Sequence, residues 1–399
     1  MLDPNKPIKQ LIEENDAFCI LPWTNFIVSD GKHQLCCMSN FFKSEYDPSV
    51  EFHQDPERNQ IKQQMLQGQK VPQCDICYKR EGLNLPSKRK LDTVRWLKDN
   101  SESTVKDLDS ITEPTYYEMR TNNICNLACR ICSPEWSSVI DQENKKSKIY
   151  ELRDYKYVGF EAVNLDTAKV IGVAGGEPSV QKDFLEFLEK CIEHDRTDIE
   201  IGVSTNAVSF SNRFKNAIEQ FDNLMMVISI DGFEKVNEYS RWPTNWTKLN
   251  QNLNYLMEKN INIHFHVVIS IYNISNLFEL LGFLEPFGKK VILGIADASY
   301  SRHNDHDPDI LSPWILPNRE VVLENLKKVK WLDMYNNDKE IKETVDSFID
   351  WYSIDREIKT ETLTKFFNFN DRLDEIRGVK LADYIPELEQ CRKSITKQI

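Results

Sequence analysis

The chain has no apolar run approaching the roughly 20 residues that a bilayer-crossing helix requires, so a membrane-spanning role is not expected. Its start, MLDPNKPIKQ, lacks the charged-then-apolar pattern of a signal peptide. No internal repeat and no low-complexity tract interrupts it, which sets aside solenoids and disordered arrays. A basic excess is also missing: 50 Lys and Arg stand against 63 Asp and Glu, a formal net charge of -13. Such a chain repels a phosphate backbone, so nucleic acid is not an expected partner. The one basic cluster, Lys88-Arg89-Lys90, is short and reads as a solvated face. These absences describe a cytoplasmic protein, in a compartment where thiols stay reduced.

Cysteine is what the sequence does have. Eight of its ten cysteines lie before residue 133. In a reducing compartment, that concentration points to metal or cluster ligation before disulfides. Three regions separate along the 399 residues. Residues 1–112 carry five cysteines and little periodicity; residues 113–300 alternate β-branched runs with helical patterns; residues 301–399 are helical, charged and aromatic.

The middle region predicts strands over 115–120, 168–174, 199–204, 224–230, 261–269 and 291–296. Between them, Phe184, Leu185, Leu188, Cys191 and Ile192 fall on one helical face, as do Trp246, Leu249, Leu253 and Leu256. Strands alternating with helices predict parallel β/α units, either an open doubly wound sheet or a barrel. Nearly every strand runs into polar or glycine residues, and parallel β/α folds build active sites at the carboxyl ends of strands. Six strands opening on one mouth favour a partial (β/α)6 TIM-type barrel. In the fifth strand, the alternation of Ile261, Ile263, Phe265, Val267 and Ile269 turns His266 and Ser270 toward the lumen.

Directly after the first of these strands comes Cys125-Asn-Leu-Ala-Cys129-Arg-Ile-Cys132. Three thiolates this close can face one centre and leave a fourth coordination position open, as a 4Fe–4S cluster needs if one iron is to bind a ligand. Structural zinc is the alternative, but it wants four closed ligands, and the next Cys or His is Cys191 or His194. The second strand runs into Gly175-Gly176-Glu177-Pro178, where glycines allow close backbone approach and a carboxylate can meet an ammonium. The next two strands supply Ser204-Thr205-Asn206 and Ser229-Ile-Asp231-Gly232, with Arg241 beyond.

This pattern resembles the radical SAM superfamily, whose hallmark is three cysteines spaced by three and then two residues after the first barrel strand. The resemblance implies a catalytic 4Fe–4S cluster on Cys125, Cys129 and Cys132. It also implies S-adenosylmethionine held by Gly175, Gly176 and Glu177 at its amino group, with Ser204, Asn206, Ser229, Asp231 and Arg241 around its ribose and carboxylate. Ile131 departs from the family, which usually has an aromatic before the last cysteine. The chemistry implied is reductive cleavage of S-adenosylmethionine to methionine and a 5′-deoxyadenosyl radical, which removes hydrogen from a substrate. An electron donor such as a flavodoxin or ferredoxin is the implied partner.

Before the barrel, Cys19, the pair Cys36-Cys37, and Cys74-Asp-Ile-Cys77 can close a tetrahedral zinc site or a fully ligated cluster. This stretch resembles the SPASM and twitch modules of radical SAM enzymes, implying a second, auxiliary 4Fe–4S cluster with Cys36 preferred to Cys37. Two departures stand out: the module precedes the barrel instead of following it, and no further cysteines provide for another auxiliary cluster. By analogy the substrate is a ribosomally made peptide; a sugar, nucleoside or other small metabolite is the alternative. A non-catalytic zinc-binding interaction protein is the rival of a different class. The loop 297–307, with His303, Asp305, His306 and Asp307, reads as solvated.

Overall fold

The computed structural model describes residues 3–82, 87–296, 309–355, 357 and 359–396; the loop with His303, Asp305, His306 and Asp307 lies outside them. Among the described residues, eight strands form one sheet: β1 (Asn25–Ser29), β2 (Lys32–His33), β3 (Tyr116–Met119), β4 (Val170–Val173), β5 (Glu200–Thr205), β6 (Leu224–Ser229), β7 (Asn262–Ile269) and β8 (Val291–Ile295). Their order is β2-β1-β3-β4-β5-β6-β7-β8, so the sheet does not close on itself. Only β1 and β2 pair antiparallel; every other neighbouring pair is parallel. This is the open, partial barrel expected, followed by a helical carboxyl-terminal part.

All six expected strands are present, and β1 adds a seventh parallel one that the sequence reading does not contain. It comes from within residues 1–112. Its segment, Asn-Phe-Ile-Val-Ser, is buried along its whole length, so it shows no alternation. The register aligns Phe26 with Tyr117, Tyr117 with Ile171, and Ile171 with Ile201.

Period-two alternation sorts the sheet into two faces. Tyr117, Ile171, Val203, Met226, Ile263 and Phe265 lie in one large core with the helices. Glu118, Gly172, Gly202, Val227, His264 and His266 take the other face, which lines the barrel lumen. The helices Lys182–Glu193 and Trp246–Glu258 carry the predicted apolar stripes, and Cys191 is fully buried in that core. The carboxyl-terminal helices Arg319–Val329, Lys339–Ser353, Thr360–Arg377 and Pro386–Thr396 extend the same core through Leu326, Phe348 and Phe366. A second core, with Ile8, Leu11, Phe18, Trp23, Ile61 and Leu108, belongs to the amino-terminal residues.

Two local expectations are corrected. Lys88-Arg89-Lys90 is not a solvated face: Arg89 is 1% exposed and pairs with Glu81, while Lys88 meets Asp92 at 2.8 Å and Glu118 at 3.6 Å. Ser270 does not line the lumen; it is 2% exposed, and its hydroxyl accepts from Tyr272 N in the turn after β7.

Candidate active site

The cysteine loop leaves the carboxyl end of β3, and five neighbouring segments hold it in shape. Ala128 N donates to Trp242 O (2.6 Å) and Arg130 N to Ser240 O (2.7 Å). At the start of the helix Ser138–Ser147, Ser138 Oγ accepts from Cys125 N (3.2 Å) and Ser137 Oγ donates to Leu127 O (2.6 Å). From the turn after β4, Glu177 N donates to Ile124 O (2.8 Å). Asn206, just past β5, donates from Nδ2 to Asn126 Oδ1 (2.8 Å). The fifth clamp is Arg130. Its Nε donates to Tyr239 O (3.0 Å), Nη1 to Asn370 Oδ1 (2.8 Å) and Nη2 to Asp374 Oδ1 (2.5 Å), with the guanidinium 3.5 Å from the Tyr239 ring centre.

Held this way, Cys125, Cys129 and Cys132 pack in one small group with Leu127, Ile131 and Val208. Burial pushes the Cys125 thiol well up, and the neighbouring Cys129 adds to the shift; burial with Cys129 likewise puts Cys132 at about 12. The donor set is therefore all sulfur, three thiols on one loop. Among the described residues, no three His, Cys, Asp or Glu side chains converge about one point as a single metal ion requires. In a four-iron cluster each thiolate takes its own iron, so such a ligand set stands wider apart. These residues fit a cluster.

The turn after β4 is built for close approach. Gly176 has φ +58°, and a side chain there would begin 2.3 Å from Ile124 O, so only glycine fits against the cysteine loop. Glu177 is 1% exposed and its carboxylate is fully occupied by the protein. Oε1 accepts from Ser179 N (3.1 Å), Ser179 Oγ (2.6 Å) and Thr205 Oγ1 (2.6 Å), and Oε2 from Asn206 N (2.6 Å). Burial pushes its carboxyl up while these donors pull it down. Glu177 thus ties the ends of β4 and β5 together.

The other expected cofactor residues divide. Ser204 is exposed on the lumen face and Ser229 is half-buried there. Asp231 is 2% exposed and is spent on the protein, accepting from Val268 N (2.8 Å) and from Arg241 Nη1 (2.6 Å). Arg241 is thereby fixed beside the cysteine loop, and its buried Nε has no protein partner. His266 is half-buried on the lumen face, aligned with Ser229, and burial lowers its pKa. Sequence reasoning missed Asn126, Arg130 and the carboxyl-terminal pair Asn370 and Asp374. Asn126 lies inside the motif and was within reach; nothing in the sequence marks Asp374.

In the amino-terminal part, Cys19, Cys36 and Cys74 share one core and Cys77 is buried as well. Burial and the neighbouring Cys77 push Cys74 up to about 12, and burial with the charge of Cys74 raises Cys19. Cys37 turns away; it is exposed, and its N–H donates to Glu118 Oε2 (3.1 Å).

An open parallel β/α barrel with a partly buried three-cysteine loop at the end of its first central strand defines a class. Residues 119–284 match the model of the Radical SAM superfamily. The GTP 3′,8-cyclase of Pasteurella multocida (strain Pm70) is 26% identical over 196 residues, 41% of this chain and 57% of that protein. The GTP 3′,8-cyclase of Haemophilus ducreyi is 33% identical over 75 residues, 19% of this chain and 21% of that one. The chain thus spans little more than half the length of the first of these relatives. Among solved structures, anSMEcpe with bound AdoMet matches at 16% identity and TM-score 0.41, covering 56% of this chain and 61% of that one. Streptococcus suis SuiB bound to precursor peptide SuiA matches at 13% identity and TM-score 0.39, covering 76% and 65%. No helix among the described residues is long and apolar enough to cross a membrane.

Proposed function

We propose that this chain is an enzyme that cleaves S-adenosylmethionine reductively and takes hydrogen from a substrate in the barrel lumen. The observation that carries the reading is the packing of Cys125, Cys129 and Cys132 in one partly buried group at the carboxyl end of β3. A 4Fe–4S cluster held there would supply the electron for reductive cleavage of S-adenosylmethionine to methionine and a 5′-deoxyadenosyl radical. The chain's own residues bind, orient and shield. Cys125, Cys129 and Cys132 ligate, and the Gly175-Gly176 backbone receives the methionine amino group. Arg241, held by Asp231, offers its free N–H groups to the carboxylate. Ser204, Ser229 and Asn206 border the ribose. The loop clamps exclude water from around the radical.

We further propose that Cys19, Cys36, Cys74 and Cys77 hold an auxiliary 4Fe–4S cluster. Their shared burial supports this set, and the outward turn of Cys37 supports Cys36 as the fourth ligand. For the substrate, a small anionic metabolite such as a nucleotide takes precedence over a ribosomally made peptide. Arg120, a half-buried cation that has no carboxylate partner among the described residues, favours it, and both curated relatives are named for action on GTP. A flavodoxin- or ferredoxin-type donor would supply the electron. Anaerobic reconstitution with iron and sulfide tests the reading. The reduced protein should give a cluster resonance that S-adenosylmethionine perturbs; zinc binding without iron would overturn it.

A further inference from the structure

Several of the cations near the barrel have carboxylate partners. Lys88 meets Asp92 and Glu118, Arg95 pairs with Glu200, Arg241 with Asp231 (2.6 Å) and Arg377 with Glu143 (2.8 Å). Arg120 differs. Strand alternation carries it onto the lumen face two residues after Glu118, at the end of β3. Among the described residues its guanidinium has no hydrogen bond and no ion pair, only the face of Trp136 at 5.1 Å. Stacking fixes the plane of a guanidinium while leaving its fork of N–H donors open, and that fork matches a carboxylate or a phosphate.

The space beside it is also prepared. Gly172 and Gly202 are paired neighbours on the lumen face of β4 and β5. A side chain built on Gly202 would meet nothing within 4 Å. Two residues on, Ser204 is exposed on the same face. Over Gly172 the Tyr116 ring lies 3.9 Å from where a side chain would begin, so the floor is open at Gly202, where a ligand can lie against the sheet. Arg120 borders the Gly175 turn on one side, since a side chain on Gly175 would begin 3.4 Å from Arg120 Cβ. An anion on Arg120 therefore sits next to the proposed radical site, in a protein whose net charge is -13.

We infer that Arg120, stacked on Trp136 above the Gly172–Gly202 floor, is the anchor for a carboxylate or phosphate group of the substrate. This rests on the radical SAM reading for the word substrate, but the oxyanion site itself does not depend on it. The carboxylate of S-adenosylmethionine is the other source of the same chemistry, and the test separates the two.

Full-length reconstituted protein saturated with S-adenosylmethionine is titrated with inorganic pyrophosphate and with succinate, as unmutated chain, Arg120→Gln and Arg120→Lys. Circular dichroism and iron content establish that each variant is folded and loaded. At least one probe should bind the unmutated protein, more weakly as salt rises. Arg120→Gln should lose tenfold or more in that affinity, and Arg120→Lys should fall between, since a point charge replaces the fork. S-adenosylmethionine affinity, measured separately, should be the same in all three. Failure of both probes to bind, or equal binding to Arg120→Gln, overturns the inference. A loss of S-adenosylmethionine affinity in Arg120→Gln, alone or with the probes, assigns Arg120 to the cofactor and overturns it too. Probe binding through Arg120 in a protein that never cleaves S-adenosylmethionine would leave the oxyanion site standing and defeat the enzyme reading instead.

Discussion

Arg130, between the second and third cysteines of the loop, meets Asp374 of the helix Thr360–Arg377 at 2.5 Å with none of its side chain exposed. Asp374 also accepts from Tyr239 OH (3.0 Å) and from Leu381 N (2.8 Å), so one carboxylate joins the cysteine loop, the segment after β6 and the start of the next helix, Leu381–Tyr384. The carboxyl-terminal helices are thereby part of the site's framework.

Removing one partner of a buried pair leaves the other charge uncompensated, which costs about 3 kcal/mol. Asp374→Ala should lower stability by about that amount in urea denaturation. Because Arg130 is in the cysteine loop, the variant should also retain less iron after reconstitution. Unchanged stability would mean that Arg130 finds compensation elsewhere.

Glu177 yields a different expectation from the one its motif suggests. If the carboxylate met only the cofactor, Glu177→Ala would weaken S-adenosylmethionine binding and leave the free protein alone. Its four contacts are to Ser179, Thr205 and Asn206 instead. Losing them strands the buried Asn206 N–H and Thr205 hydroxyl, a penalty of about 1–3 kcal/mol for an unsatisfied group. The melting temperature of the cofactor-free variant should therefore fall. A normal melting temperature with weakened binding would return Glu177 to the cofactor.

Much of this arrangement is legible in the sequence, for reasons tied to particular residues. Strand β7 reads directly because Ile263, Phe265 and Val267 alternate with His264 and His266, and the structure buries one set and half-buries the other. The cysteine loop and the Gly-Gly-Glu turn read because their spacing is local. Strand β1 does not, because a strand covered on both faces has no alternation, and it lies among turn residues and cysteines. The Arg130–Asp374 contact spans 244 positions, and no local pattern encodes a contact at that distance. Arg120 is likewise plain in the sequence as a residue, but only the structure shows that it has no carboxylate partner among the described residues.

His33 sets a pH dependence for the amino-terminal part. It is 7% exposed; burial first, then the nearby Arg58 charge, lower its pKa from 6.5 to about 4, against an opposing pull from Asp55. The unfolded chain therefore binds a proton that the folded chain refuses between those two values. Stability from this group is full above about pH 6.5 and falls as pH drops toward 4, by about 3 kcal/mol at most. Chemical denaturation from pH 7.5 down to 4.5 should follow this slope, and His33→Gln should flatten it. An unflattened slope in that variant would assign the effect to other groups.

If Cys19, Cys36, Cys74 and Cys77 hold an auxiliary cluster, the reconstituted chain should bind about eight irons. The triple variant Cys125→Ala, Cys129→Ala, Cys132→Ala should keep about half. Its remaining cluster is fully protein-ligated, so S-adenosylmethionine should leave its resonance unchanged. Tight zinc with no iron in that variant would make the four cysteines a structural zinc site.

The central claim is that Cys125, Cys129 and Cys132 support reductive cleavage of S-adenosylmethionine. The most direct measurement is 5′-deoxyadenosine formed from S-adenosylmethionine and a strong reductant, followed by chromatography and mass. The unmutated, reconstituted chain should form it, and each single variant, Cys125→Ala, Cys129→Ala or Cys132→Ala, should form none above the protein-free control while remaining folded by circular dichroism. Undiminished 5′-deoxyadenosine from any one of the three variants, or none from the unmutated chain with its full iron, would contradict the account.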